Sequence, residues 1–314
     1  MHGIAWLVLI VVGCGSGTAT ERGDDVGGSP VGDEQVVGNE QAAGLGEAPP
    51  RGHLIRLERR PPVGTRWTEE VERRGRTSTA WFTAQGSSSP VVRERHYAMR
   101  ASLTVTESGQ DHETVEVEIL SHTHRDWHGP GTDQGLPAGT TLTIERSRGD
   151  GSMSRGGRPL DEITIGIVNE LLGLQLPDVG DGDDILYATD VPRAVGERWT
   201  PNESRIREIL HGATVDRAQV RLDRVEDVAG VACDLLVLEV SSHSAEQRFS
   251  YRQELFVPQD PTLPIVAERS RTESLITEGS TENPEGQRRA ESLYTMERSR
   301  TLAAREGPPA GRNR

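Results

Sequence analysis

The sequence predicts a mainly β protein: an antiparallel sheet forming an open barrel or half-barrel, built from two related halves, with one amphipathic helix near the seam. Three observations carry this expectation. Over residues 97–106 apolar and polar side chains alternate for five periods, the pattern of a strand with one face in a core and one in water. A six-residue motif occurs twice, as Val63-Gly-Thr-Arg-Trp-Thr68 and Val195-Gly-Glu-Arg-Trp-Thr200, with five of six positions identical. Helical spacing of apolar residues is confined to residues 160–176.

Taken in order, the chain starts with an apolar run over residues 4–12. It is too short to span a bilayer, which needs about 20 residues, and has the length of a signal-peptide core. The run leads into Val11-Val12-Gly13-Cys14, which resembles the lipobox of bacterial lipoproteins. The resemblance implies that residues 1–13 are a lipoprotein signal peptide and that Cys14 becomes the first residue. It also implies that Cys14 carries palmitate-type acyl chains, which hold the protein to a membrane; two or more chains make such attachment stable. Gly15 in place of aspartate after that cysteine implies the outer membrane, with the protein facing the periplasm or the cell exterior. Residues 14–51 read as an acidic, Gly-rich tether. Glu21, Asp24, Asp25, Asp33, Glu34, Glu40 and Glu47 stand there without an apolar period, so the segment is expected to stay disordered and to reach about 30–35 Å on average.

Residues 52–303 are expected to form the β-rich domain, with halves at about 52–158 and 185–303. Within residues 97–119 the alternation returns after the turn at 107–112, which predicts an antiparallel hairpin. Further strands are expected at 54–59, 66–83, 140–147, 185–191, 214–225, 231–242, 247–257, 264–277 and 290–301. The helix at 160–176 carries Leu160, Ile163, Ile167, Leu171 and Leu174 on one stripe, which Val168 and Leu172 widen. Asp161 and Glu162 sit at the positive end of its dipole, and Pro177 stops it. It serves either as core packing or as a lid over a ligand cavity. In the repeat, Gly64 and Gly196 supply a backbone conformation closed to other residues, and Trp67 and Trp199 supply large core anchors. A Val-Gly-x-x-Trp turn following a helix that ends in Leu-Pro, here Leu176-Pro177, resembles a group of uncharacterised secreted bacterial lipoproteins. That resemblance spans roughly residues 53–302, implies the fold, and brings no catalytic residues. Residues 304–314 read as a disordered tail.

Composition narrows the function. The net charge is −14 and all 35 basic residues are arginine, with no basic stripe to neutralise phosphates, which argues against nucleic acid as a partner. The two cysteines are Cys14 and Cys233; with Cys14 acylated the domain folds without a disulfide, and Cys233 lies in an apolar run that reads as buried strand. His122 and His124 form a His-x-His pair beside Asp126 and His128, while Asp181 and Asp183 lie in a Gly-rich loop. Continuing the alternation from Val115, Val117 and Ile119 places both histidines on the solvated face. The loop lacks EF-hand spacing, so these residues are only weak candidates and no metal or cofactor is expected. No nucleophile elbow, phosphate-binding loop, dinucleotide fingerprint or zinc-protease motif occurs, so the expectation is a non-enzyme. Two readings remain: a domain that binds an apolar ligand or lipid, and a structural or protein-interaction module of the cell envelope.

Overall fold

The computed structural model describes residues 52–83, 86–109, 112–125, 136–147, 150–172, 183–210, 213–278 and 287–303. The expected signal peptide (1–13), the expected tether with Cys14, the expected tail (304–314), Asp126, His128, Asp181 and the stretch from 173 to 182 lie outside them. In chain order the elements are β1 (Arg66–Thr83), β2 (Gly86–Ser87), β3 (Val91–Ser108), β4 (His112–Arg125), β5 (Thr141–Ser147), β6 (Asp150–Arg155) and β7 (Arg158–Pro159). Helices α1 (Glu162–Leu172) and α2 (Asp183–Tyr187) follow, then β8 (Arg198–Trp199) and helix α3 (Glu203–Ile209). The chain ends in β9 (Thr214–Val228), β10 (Val231–His243), β11 (Gln247–Pro258), β12 (Ala267–Glu278) and β13 (Gln287–Leu302).

All the strands join one antiparallel sheet of order β7-β6-β5-β4-β3-β1-β13-β12-β11-β10-β9-β8, with β2 paired to β1. The sheet is open: at one end β8 pairs only with Val220 and Arg221 of the 15-residue β9, and at the other β7 pairs only with Ser154 and Arg155 of β6. The first strand of the N-terminal half, β1, meets the last strand of the C-terminal half, β13. The two halves therefore follow one another in the same direction across the sheet.

Two expected strands are absent. Residues 53–61 form a strap whose one β-bridge joins His53 to Arg193 and in which Ile55 and Leu57 are buried. The stretch expected as a strand at 185–191 instead contains the end of α2 and a turn, because Leu186 and Tyr187 reach the core from one helical turn.

The repeat has an identifiable backbone cause. Gly64 and Gly196 adopt φ of 86° and 84°, conformations open to glycine. Gly64 N–H donates to Val105 O and Gly196 N–H to Leu222 O, while Val105 and Leu222 donate back to Thr65 O and Glu197 O. The same pattern occurs a third time at Pro137–Thr140: Gly139 has φ of 80°, donates to Ile119 O, and Ile119 N–H donates to Thr140 O. That third copy, which starts β5, is not apparent from the repeat because no tryptophan follows it.

The inner face of the sheet carries two apolar floors. The N-terminal floor gathers Trp67, Met99, Leu103, Val115, Ile119, Leu142 and Ile144 with Val168 and Leu172 of α1. The C-terminal floor gathers Trp199, Val220, Leu222, Leu236, Leu238, Tyr251 and Leu255 with Ile55, Leu57, Tyr187 and Ile206 from the strap, α2 and α3. A third cluster, Cys233, Leu235, Val237, Phe256 and Val266, lies on the outer face of β10 and β11. This explains why residues 233–238 are buried at every position.

Candidate functional site

One cross-strand row shows what separates the two floors. It runs Met99, Val71, Arg298, Glu268, Leu255, Leu236 through paired positions of β3, β1, β13, β12, β11 and β10. Only Arg298 and Glu268 break its apolar character, and both are buried. Around them lies a belt of polar groups. Glu69 Oε1 is 3.1 Å from Arg298 Nε, and Glu69 Oε2 is 2.8 Å from Arg300 Nε. Arg298 reaches Glu268 at 2.8 Å, Gln253 Nε2 donates to Glu268 at 2.6 Å, and the Tyr187 hydroxyl donates to Gln253. The belt ends at the two repeat tryptophans. Trp67 Nε1 donates to Glu69 at 3.3 Å, and Trp199 Nε1 donates to Tyr187 O at 2.6 Å. Each indole also has an arginine near its face, Arg300 at 6.0 Å from Trp67 and Arg193 at 4.7 Å from Trp199.

Burial pushes the Glu69 carboxyl up, but Arg300 and Arg298 overcome that and hold it below its ordinary value. It is thus a carboxylate at neutral pH, matched to two guanidiniums. Such a group holds a seam; it has no proton to give. Cys233 is fully buried, and desolvation followed by Asp234 pushes its thiol up to about 11, the opposite of a reactive cysteine.

The candidate histidines lie on the inner face, which corrects the solvated placement read from alternation. Between Arg100 and Ala101 the pairing of β3 with β4 skips Leu120, a bulge that reverses the facing of everything after Ile119. His122 therefore pairs with Met99, and His124 stacks on Tyr97 with ring centroids 4.5 Å apart. Leu136 N–H donates to His122 Nδ1 at 2.7 Å, which assigns the neutral ring with its proton on Nε2. Desolvation and then His124 lower the pKa of His122. Asp183 opens α2, and its neighbour Asp184 accepts from Leu57 N at 2.7 Å, Glu58 N at 3.1 Å and Thr189 Oγ1 at 2.7 Å. Asp184 is thereby the lock of the strap, a role that the acidic pattern of the loop does not reveal. Among the described residues no group of three or more His, Cys, Asp or Glu could hold a metal ion. No described helix is long and apolar enough to cross a membrane.

No protein-family model matches this sequence, and no curated protein matches it. Among solved structures, a lipovitellin chain described for its lipid–protein interactions aligns over 80% of this chain at 9% identity and a TM-score of 0.33. The alignment spans 26% of the lipovitellin chain, and a likeness at that level carries no functional argument.

Proposed function

We propose that this is a non-catalytic, lipid-anchored protein of the cell envelope, held to the outer membrane through Cys14, whose β domain binds an apolar ligand such as a lipid acyl chain. The observation that carries the ligand reading is the difference between the two roofs. The C-terminal floor is covered by α3 and by a strap and helix α2 that Asp184 and Trp199 hydrogen-bond in place. The N-terminal floor lies under α1, which rests on it through Val168 and Leu172, 0% and 1% exposed, by apolar contact. A ligand of the same chemistry can take the place of that helix face, which would make the helix a lid, the alternative that the sequence leaves open beside core packing.

Comparing native with denaturing mass spectra of the full chain, extracted from membranes in mild detergent, tests both parts. The expected result is a covalent acyl mass on the Cys14 peptide under both conditions, plus a further lipid mass in the native spectrum only. Val168→Asp should abolish the second mass and leave the first. A native mass equal to the denatured one would sink the ligand reading, and an unmodified Cys14 would sink the anchor. A second reading, a structural or protein-interaction module of the envelope, is favoured by the fact that both floors are already filled by the chain's own side chains.

A further inference from the structure

The far end of β1 presents its apolar residues outward. Trp81, Phe82, Val91 and Val92 are 49%, 37%, 54% and 45% exposed, in a chain with only five Trp, three Phe and four Tyr. The pairing of β1 with β3 sets Thr79 opposite Val91 and Ser78 opposite Val92. By strand alternation Trp81 and Val91 therefore share one face, and Phe82 and Val92 share the other. A protein partner docking on one face of this hairpin end would leave the other pair in water. A lipid surface, into which the end inserts, takes up both.

Charge points the same way. On the face that Phe82 shares with Arg76 and Ser78 by alternation lies a groove of about 590 Å³ whose lining includes Arg76, Ser78, Arg248, Glu273 and Glu291. Its two carboxylates are already matched, Glu273 to Arg271 at 2.5 Å and Glu291 to Arg289 at 2.7 Å. Among the described residues Arg76 and Arg248 make no ion pair and stand exposed. On the other face the guanidinium of Arg288 lies 6.0 Å from the Trp81 ring. In a chain of net charge −14 this local excess of guanidinium is a departure that suits phosphate.

We propose that this end of the sheet docks on an anionic phospholipid bilayer, with Trp81, Phe82, Val91 and Val92 entering the interface and Arg76 and Arg248 taking headgroup phosphates. The docking surface is separate from the inner floor and stands or falls independently of the apolar-ligand reading.

The test reconstitutes the full chain in phosphatidylethanolamine–phosphatidylglycerol vesicles with brominated acyl chains, and compares tryptophan emission of the wild type with that of Trp81→Phe. The other tryptophans contribute equally to both, so the difference reports Trp81 alone. A brominated lipid held on the inner floor would quench Trp67 in both proteins and cancel. The expected result is a Trp81 signal that bromine quenches. The double variant Arg76→Gln/Arg248→Gln should lower the docked-to-free ratio about thirtyfold in these vesicles, and hardly at all in neutral phosphatidylcholine. Unchanged melting temperatures confirm that the variants are folded. A Trp81 signal that bromine leaves untouched overturns the proposal. If that signal is also blue-shifted and the chain sediments as a dimer, the end is covered by a second copy instead.

Discussion

At the scale of single residues, the belt shows how a buried charge is made tolerable and what its removal costs. Glu69 is 1% exposed and faces Arg298 and Arg300, so Glu69→Gln leaves buried guanidiniums short of a counter-charge. A loss of about 3–5 kcal/mol is expected in urea unfolding. The sign of the pH dependence follows from the directions of shift. Glu69 titrates below its ordinary 4.5 in the folded protein, so the unfolded chain binds the proton first; its contribution is complete above 4.5 and declines as pH falls through the folded value. His122 is also lowered, from 6.5, so its contribution is complete above 6.5 and begins to fall on acidification below that. Urea midpoints measured down a pH series should therefore fall in two stages. His122→Gln should remove the upper stage and Glu69→Gln the lower; a stage that survives its own substitution would refute the assignment.

At the scale of elements, three turns of one geometry start β1, β5 and β8. An added Cβ at Gly64, Gly139 or Gly196 meets nothing within 4 Å, so replacement by alanine costs only the conformational penalty of positive φ. Each of the three alanine variants is expected to lose about 1–2 kcal/mol. A cost at Gly139 near that of the other two would establish the third turn as equivalent, and a negligible one would refute it. The β strands themselves were largely legible in the sequence, since alternation over residues 97–106 and 113–119 reads directly as β3 and β4. The bulge at Leu120 was not, because a bulge is set by pairing with the neighbouring strand and leaves the local pattern of residues unchanged. The facing of His122 and His124 was lost with it.

At the scale of the whole molecule, one continuous sheet joins the halves across β1 and β13, and the belt sits on that seam. Sliding β1 against β13 by one residue would turn Glu69 out of the belt and away from Arg300, so the ion pairs pin the register. The two floors are expected to unfold together. Urea transitions followed in Trp67→Phe and in Trp199→Phe should each be a single step, and the N- and C-terminal signals should share one midpoint after correction for the stability change of each variant. Separate midpoints would mean that the halves are independent domains. Arg298→Met, like Glu69→Gln, is expected to loosen that coupling.

What the sequence determined by itself was the class of fold and the repeat, because side-chain alternation, a positive-φ glycine and a tryptophan anchor act over a few residues. The tertiary structure decided the rest. Glu69 and Arg300 are 231 residues apart, and Asp184 locks a strap 127 residues away, so neither partner announces the other locally. The exposed aromatic end of β1 is likewise invisible in sequence. Trp81 and Phe82 read as the end of the strand expected at 66–83, and only the path of the sheet decides whether a given strand end is covered by neighbours or left facing outward.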